Sequence, residues 1–263
     1  MSQGNQPPPT SSRVIHRFSG NRAKNSQKSF ADRLGYRNSL RRLPRLGSVK
    51  LDKITTPASI AMAGVIIYVI VDVVLQSLPP HYSPIREAES NLAVGPFGWI
   101  MAINFFGRGI TCAALILALV RAMPRSLLRD AGLIFMAAAG LCSAAIAFLP
   151  TDVPKGGGVH AATLHGAIHL VGASTGFVTA LIAIWLLSFC RLHGGRLSAA
   201  SLVFLGIATA GLAFLGVTLE VSTGMFGLAE RVCLVGILGW VFSTALSVRR
   251  RSRQRTGSAL PAR

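Results

Sequence analysis

Acidic residues are the scarcest chemistry in this chain. Its 263 residues hold 9 Asp+Glu against 27 Lys+Arg, and only 14% are charged. A soluble domain of this size carries about 25% charged residues. Hydrophobic residues make up 51% of the chain while the net charge is +18. Charge has thus been withdrawn from most of the chain and gathered in a few places, which excludes an ordinary soluble domain. Disorder is excluded as well, because it requires low hydrophobicity. Nucleic-acid binding fits poorly, since the basic excess lies in the tails and between apolar runs, not on one folded face. Cysteine is sparse too. Cys112, Cys142, Cys190 and Cys233 each lie within or at the end of an apolar run, and no Cys-x-x-Cys occurs. Neither a disulfide framework nor a zinc ribbon follows, and small buried hydrophobes are the plainer reading. No nucleophile elbow and no phosphate-binding loop is present, and Lys155-Gly156-Gly157-Gly158 reads as a flexible turn.

What is abundant is long apolar sequence. Six runs, at about 57–78, 96–121, 129–149, 160–189, 198–219 and 228–248, each approach the ~20 residues that cross a bilayer as a helix. The expected fold is therefore all-α, a polytopic six-transmembrane-helix bundle over 57–248. It is flanked by a basic, largely disordered tail at 1–56 and a short basic tail at 249–263.

The first tail carries twelve Lys/Arg with only Asp32 and Asp52 against them. It is too long and too basic for a secretory leader, so no cleavable signal peptide is expected. Its Arg- and Ser-rich start also resembles an organelle transit peptide. The stretch from Ser29 to Leu46 sets Phe30, Leu34, Leu40, Leu43 and Leu46 among arginines. It reads either as a short helix on an anionic leaflet or as a solvated tail. The lipid bilayer, with anionic lipid at the tails, is the expected partner.

Cations alternate from loop to loop. Arg121, Arg125 and Arg129 fill the second loop, Arg191 and Arg196 the fourth, and Arg249, Arg250, Arg251, Arg253 and Arg255 the C-terminal tail. The first loop has only Arg86, the third only Lys155, and the fifth none before Arg231. Six spans and this alternation place both termini in the cytoplasm of a bacterial inner membrane, with loops one, three and five outward. Trp99, His81 and Tyr82 read as interfacial anchors.

An ionisable side chain at mid-span costs roughly 2.5–3.5 kcal/mol on insertion scales, so those present call for a reason. Most gather on the outward half: Asp72, Asp152, His160, His165, His169, Glu220, Glu230 and Arg231. His165 and His169 are four apart and share a helix face. Gly172 and Gly176 form a GxxxG on the same helix, which turns that face to the bundle interior. A histidine pair at this spacing with the Asp152 and Glu230 carboxylates could bind one zinc ion and its water. The same residues could equally form a hydrogen-bonded lock between helix ends, or a path for protons or a ligand. Arg108 stands apart, about twelve residues or roughly 18 Å into span two. Asn104 lies one turn away. A buried Arg needs a partner or a wet cavity, and Asp72 is the nearest acid by depth. An Asp72–Arg108 ion pair is expected, with contact to a substrate anion as the alternative.

The run Tyr82-Ser83-Pro84 followed by Ser90-Asn91-Leu92-Ala93-Val94-Gly95-Pro96-Phe97-Gly98-Trp99 resembles the first signature of the domain-of-unknown-function 998 family. Phe148-Leu149-Pro150-Thr151-Asp152 with Thr163, Gly166 and His169 resembles the second, and Gly227-Leu228-Ala229-Glu230-Arg231 the third. The resemblance spans about residues 60–248. It implies a six-span, mainly prokaryotic integral membrane protein, with Asp152, His169, Glu230 and Arg231 as a polar core that His165 fits less closely. The family brings no established activity. This chain departs from its pattern at Asn91, where an acid is common, so the resemblance supplies no loop-one carboxylate, and at Arg108, where a small residue is usual. Two functional classes follow. One is a non-enzymatic membrane protein for small-solute or lipid handling, or an accessory membrane subunit. The other is a metal-dependent membrane hydrolase acting on a lipid or amide.

Overall fold

The computed structural model describes residues 46–78, 81–153, 161–194, 197–221 and 224–257. Residues 1–45 of the N-terminal tail, with all of its basic Ser29-to-Leu46 stretch except Leu46 itself, lie outside the described residues, as do the Lys155–Gly158 turn, His160, Arg196 and the last six residues of the C-terminal tail. Within the described residues there is no strand. Six long helices, α1 Leu46–Gln76, α2 Gly98–Ala122, α3 Leu127–Ile146, α4 Leu164–His193, α5 Ala199–Glu220 and α6 Phe226–Gly257, are joined by loops, and a short 3-10 turn occupies Glu89–Ala93 in loop one. All six are long and apolar enough to cross a membrane, over Lys53–Gln76, Gly98–Ala122, Leu127–Ile146, Leu164–Arg191, Ala199–Glu220 and Phe226–Gln254. Each span therefore meets the ~20 residues that a hydrocarbon core demands. In such a setting the helix is the form that satisfies its own backbone, and the apolar residues at the surface of the bundle, such as Ile67, Ile103, Leu141 and Val203, face lipid and not water.

The first helix starts well before the proline that the apolar run suggested as its beginning. Pro57 stands inside α1. Proline has no N–H to offer the carbonyl four residues back, which leaves the Lys53 carbonyl without its helical donor. Arg121, at the end of α2, donates to that carbonyl. A loop cation read only as a marker of orientation thus also repairs a backbone defect in its neighbour. Ser126 caps α3 through the Arg129 amide, and Ser198 caps α5 through the Ser201 amide, each satisfying one of the donors left free at a helix start.

Packing is closest between α3 and α4 and between α5 and α6. Where α5 meets α6, a Cβ on Gly211 would lie 2.4 Å from the Cys233 backbone nitrogen, and one on Gly236 would lie 2.2 Å from that of Ala208. The two backbones touch directly, the arrangement that small residues permit in membrane helix pairs. Gly172 and Gly176 face α3 at Ile146 and Cys142. Toward the other end of the bundle, hydroxyls and amphipathic rings stitch the helices: Trp240 Nε1 donates to Ser188 Oγ at 2.8 Å, and Ser201 Oγ lies 3.0 Å from Ser243 Oγ. By contrast, α4 and α5 touch only sparsely, and a cavity opens between them.

Candidate functional site: a polar cavity under loop one

Loop one folds down over the start of α6. The Leu228 amide donates to the Ile85 carbonyl at 3.0 Å. A Cβ on Gly227 would lie 2.2 Å from the Glu87 carbonyl oxygen and 2.7 Å from that of Pro84, so only glycine allows this approach. Arg231, one helical turn on, fastens the loop. Its guanidinium donates to the carbonyls of Pro84 (3.1 Å), Glu87 (3.4 Å) and Gly227 (3.2 Å) and to the Tyr82 hydroxyl (2.6 Å). That hydroxyl in turn lies 2.9 Å from both the Glu87 and Ala88 carbonyls. Tyr82 is therefore a strut of the loop and not the interfacial anchor expected of it. Burial raises its phenol pKa, against the pull of Arg231. Trp99, in contrast, is 64% exposed, as an anchor at the lipid headgroups should be.

Beneath the loop lies a carboxyl cluster. The Glu89 amide donates to Glu230 Oε2 at 2.6 Å, and the Tyr68 hydroxyl donates to Glu89 Oε2 at 2.9 Å. Asp72 belongs to the same cluster, and Gln76 Nε2 donates to its Oδ2 at 2.7 Å. Burial raises the Glu89 carboxyl to about 8, and the adjacent Glu230 and Asp72 carboxyls add to the rise while Arg108 and Tyr68 oppose it.

The expected Asp72–Arg108 pair does not form. Arg231 stands 3.9 Å from Asp72. Arg108 donates instead from Nε to Ser143 Oγ (2.7 Å) and from Nη1 to the Tyr68 hydroxyl (3.2 Å), and its guanidinium carbon lies 5.3 Å from the centre of the Tyr68 ring. The main reason is direction, since Asp72 turns toward Arg231 on α6, and a smaller offset in depth adds to it. Arg108 meets α1 at Tyr68, one turn or about 6 Å deeper than Asp72, and reaches the acids only through the phenol. Asn104, one turn from Arg108, donates to the Tyr68 carbonyl at 3.1 Å.

On the far side of Glu230 opens a cavity of about 270 Å³ lined by Ser90, Asn91, Thr151, Asp152, His169 and Glu230 at its polar end. Apolar walls come from Phe177 on α4, Leu212, Leu215 and Leu219 on α5, and Phe226 on α6. Three of the expected cluster residues, Asp152, His169 and Glu230, thus border one space. Arg231 is not among the lining residues, being occupied with the loop.

Asp152 caps α4. Its Oδ2 accepts from the Ala162 and Thr163 amides at 2.7 and 2.8 Å, and its Oδ1 accepts from Thr163 Oγ1 at 3.0 Å. A carboxylate at a helix N-terminus is favoured by the free amides and the helix dipole. Gly166 belongs to this arrangement, since a Cβ there would lie 2.0 Å from Asp152 Oδ2. His169 is 2% exposed, and its Nδ1 lies 2.6 Å from the Leu149 carbonyl. A carbonyl can only accept, so Nδ1 carries the proton, and the neutral ring presents Nε2 as an acceptor. That Nε2 is buried without a partner.

His165 is exposed. It sits in the first turn of α4, and the i, i+4 spacing does not carry it into the cluster. Among the described residues no three His, Cys, Asp or Glu side chains converge as a metal ion requires. The zinc set expected from His165, His169, Asp152 and Glu230 therefore finds no joint geometry there.

Sequence reasoning missed Glu89, Tyr68 and the second role of Arg231. Glu89 supplies a loop-one carboxylate two residues before Asn91. The signal for it was an acid between the two parts of the first signature in a chain so poor in acids.

No curated protein and no solved structure matches the chain. One family model, described as a protein of unknown function (DUF998), matches residues 62–247. The three signatures fall in that range, each built into this loop, cap or cavity, and the chain belongs to that family of integral membrane proteins.

Proposed function

We propose that this protein binds an amphiphile, a lipid or a lipid-like solute, in the cavity between α4 and α5, and handles it without converting it chemically. The observation that carries the reading is the cavity itself, about 270 Å³ with polar groups at one end and leucine and phenylalanine walls at the other. Such a division matches a molecule with a head and a tail. Val178 and Leu219, both cavity-lining, are 47% and 60% exposed on the outside of the bundle, which gives the space a lateral opening toward lipid. The non-enzymatic reading is supported by how the polar residues are occupied: Asp152 caps a helix, Arg231 holds a loop, and Glu230 accepts the Glu89 amide. The rival, a hydrolase acting on a lipid or amide, draws on one observation, the partnerless Nε2 of His169.

Two glycines of α5 make the test. Gly216 lines the cavity and Gly206 does not, and a Cβ at either meets nothing within 4 Å. Gly216→Phe and Gly206→Phe should both fold with near wild-type melting temperatures. Native mass spectrometry of protein extracted with its surrounding lipid should show bound amphiphile retained by the wild type and Gly206→Phe and lost from Gly216→Phe. Equal retention in all three proteins would remove the binding reading. Release of fatty acid or amine from added lipids, abolished by His169→Ala, would transfer the function to the hydrolase class.

The orientation proposed with this function puts both termini in the cytoplasm of the inner membrane, so that the cavity lies in the outward half. The alternation of loop cations supports it. Reporter fusions after Gly257 and within loop three should report opposite sides of the membrane, and an outward C-terminal tail would reverse the assignment.

A further inference from the structure

The chemistry of the polar end identifies the head group. Two carboxyl residues, Glu230 and Asp152, border the cavity, and among the described residues no Lys or Arg lines it. Both guanidiniums near it are engaged elsewhere: Arg231 with the carbonyls of loop one and the Tyr82 hydroxyl, and Arg108 with Ser143 and Tyr68. An anionic head group would meet carboxylates and find no cation to receive it among the described lining residues. His169, 2% exposed, offers a buried acceptor at Nε2 with no donor to fill it. Its other nitrogen is committed to the Leu149 carbonyl at 2.6 Å, so a neutral ring cannot turn to become a donor without losing that bond. Buried polar atoms without partners are rare in folded proteins, and this one belongs to a residue that lines the cavity, although water cannot reach the atom itself in this conformation. The site asks for N–H or O–H donors and for positive charge.

We propose that the cavity is a binding site for a primary-ammonium amphiphile, with the ammonium at the polar end beside Glu230, where a small shift of His169 would open its Nε2 to the same head group, and with the chain running along Phe177 and Leu215 toward the opening between α4 and α5. An ammonium presents three donors and no acceptor, which suits a carboxylate and an imidazole lone pair together. The volume is about nine times the ~30 Å³ that a water molecule occupies in the liquid. It accommodates a head group and the first part of a chain, with the remainder in the lipid-facing opening. This assignment rests on the amphiphile reading above and adds the head-group class to it.

The test uses three photoreactive probes with the same alkyl chain and either an ammonium, a phosphate or a glucoside head. Each is cross-linked to the full-length protein in phosphatidylcholine nanodiscs, with the labelled residues located by mass spectrometry. The ammonium probe should label the cavity walls at least tenfold more than the phosphate probe, the scale of one charge-assisted hydrogen bond. Glu230→Gln keeps an oxygen for the Glu89 amide and should bring the two probes level. Asn91→Asp adds a carboxylate at a half-buried wall position and should widen the preference, which keeps the test decisive if Glu230→Gln folds poorly. Equal cavity labelling by all three probes would overturn the head-group assignment while leaving the amphiphile reading intact. Labelling confined to lipid-facing residues for every probe would overturn both.

Discussion

Replacing Arg231 with alanine is expected to destabilise the protein by about 3–5 kcal/mol, the cost of breaking a buried charged partnership from one side. The guanidinium gathers three backbone carbonyls and a phenol within 2.6–3.4 Å, covers the Tyr82 ring at 5.2 Å and stands 3.9 Å from Asp72. With the side chain 16% exposed, little water is at hand to replace those bonds. Without it, the Pro84 and Glu87 carbonyls lose its donation and Asp72 its nearby cation, and loop one should lift from α6. Lysine should recover little. It carries a point charge with three donors, whereas this site uses the planar fork to span groups on two segments at once. A denaturation series in detergent measures the loss, and limited proteolysis between residues 81 and 95 reports the released loop. If Arg231→Ala unfolds with the wild type and its loop stays resistant, the clamp is not what secures the cavity roof.

The spans were legible because membrane insertion imposes a one-dimensional rule, about twenty apolar residues in a row, and the sequence obeys it six times. The same one-dimensionality explains what stayed hidden. Depth along a helix can be counted from sequence, but the direction a side chain takes around the bundle cannot. Asp72 and Arg108 looked like partners by depth, yet Asp72 faces α6 and Arg231, while Arg108 faces Tyr68 and Ser143. His165 and His169 do share a helix face, but only His169, one turn further into α4, is buried. Asp152, His169 and Glu230 were legible as polar residues with no ordinary reason to be near a membrane, and they border one cavity. Glu89 was not, because an acid in a loop between spans needs no explanation until the loop is known to fold inward. Tyr68 sat in an apolar run where an aromatic ring draws no notice. The contact between Arg121 and the carbonyl released by Pro57 joins residues 68 positions apart, beyond any local pattern.

Replacing Arg108 with methionine should cost a comparable amount, about 3–5 kcal/mol, and its effect should depend on pH in a way that Arg231→Ala need not. Arg108 donates to the Tyr68 hydroxyl, which donates to Glu89, so it counters the accumulation of three carboxyls at Asp72, Glu89 and Glu230. Glu89 titrates at about 8 in the folded protein against an ordinary value of 4.5. Between those values the folded state holds a proton that the unfolded chain has released. The stability associated with that proton is fully present below about 4.5 and is lost as pH rises through about 8. Arg108 lowers the Glu89 value, so its removal moves that value further up and extends the declining limb to higher pH. The deficit of Arg108→Met relative to the wild type should therefore be smallest near pH 5 and grow past pH 8. Glu89→Gln, which cannot ionise, should flatten the growth when combined with it. Denaturation midpoints of the four proteins across this range decide the matter. A deficit that stays constant with pH, or that Glu89→Gln leaves unchanged, would mean that Arg108 serves the fold through Ser143 and the aromatic rings alone, with no electrostatic hold on the carboxyls beneath loop one.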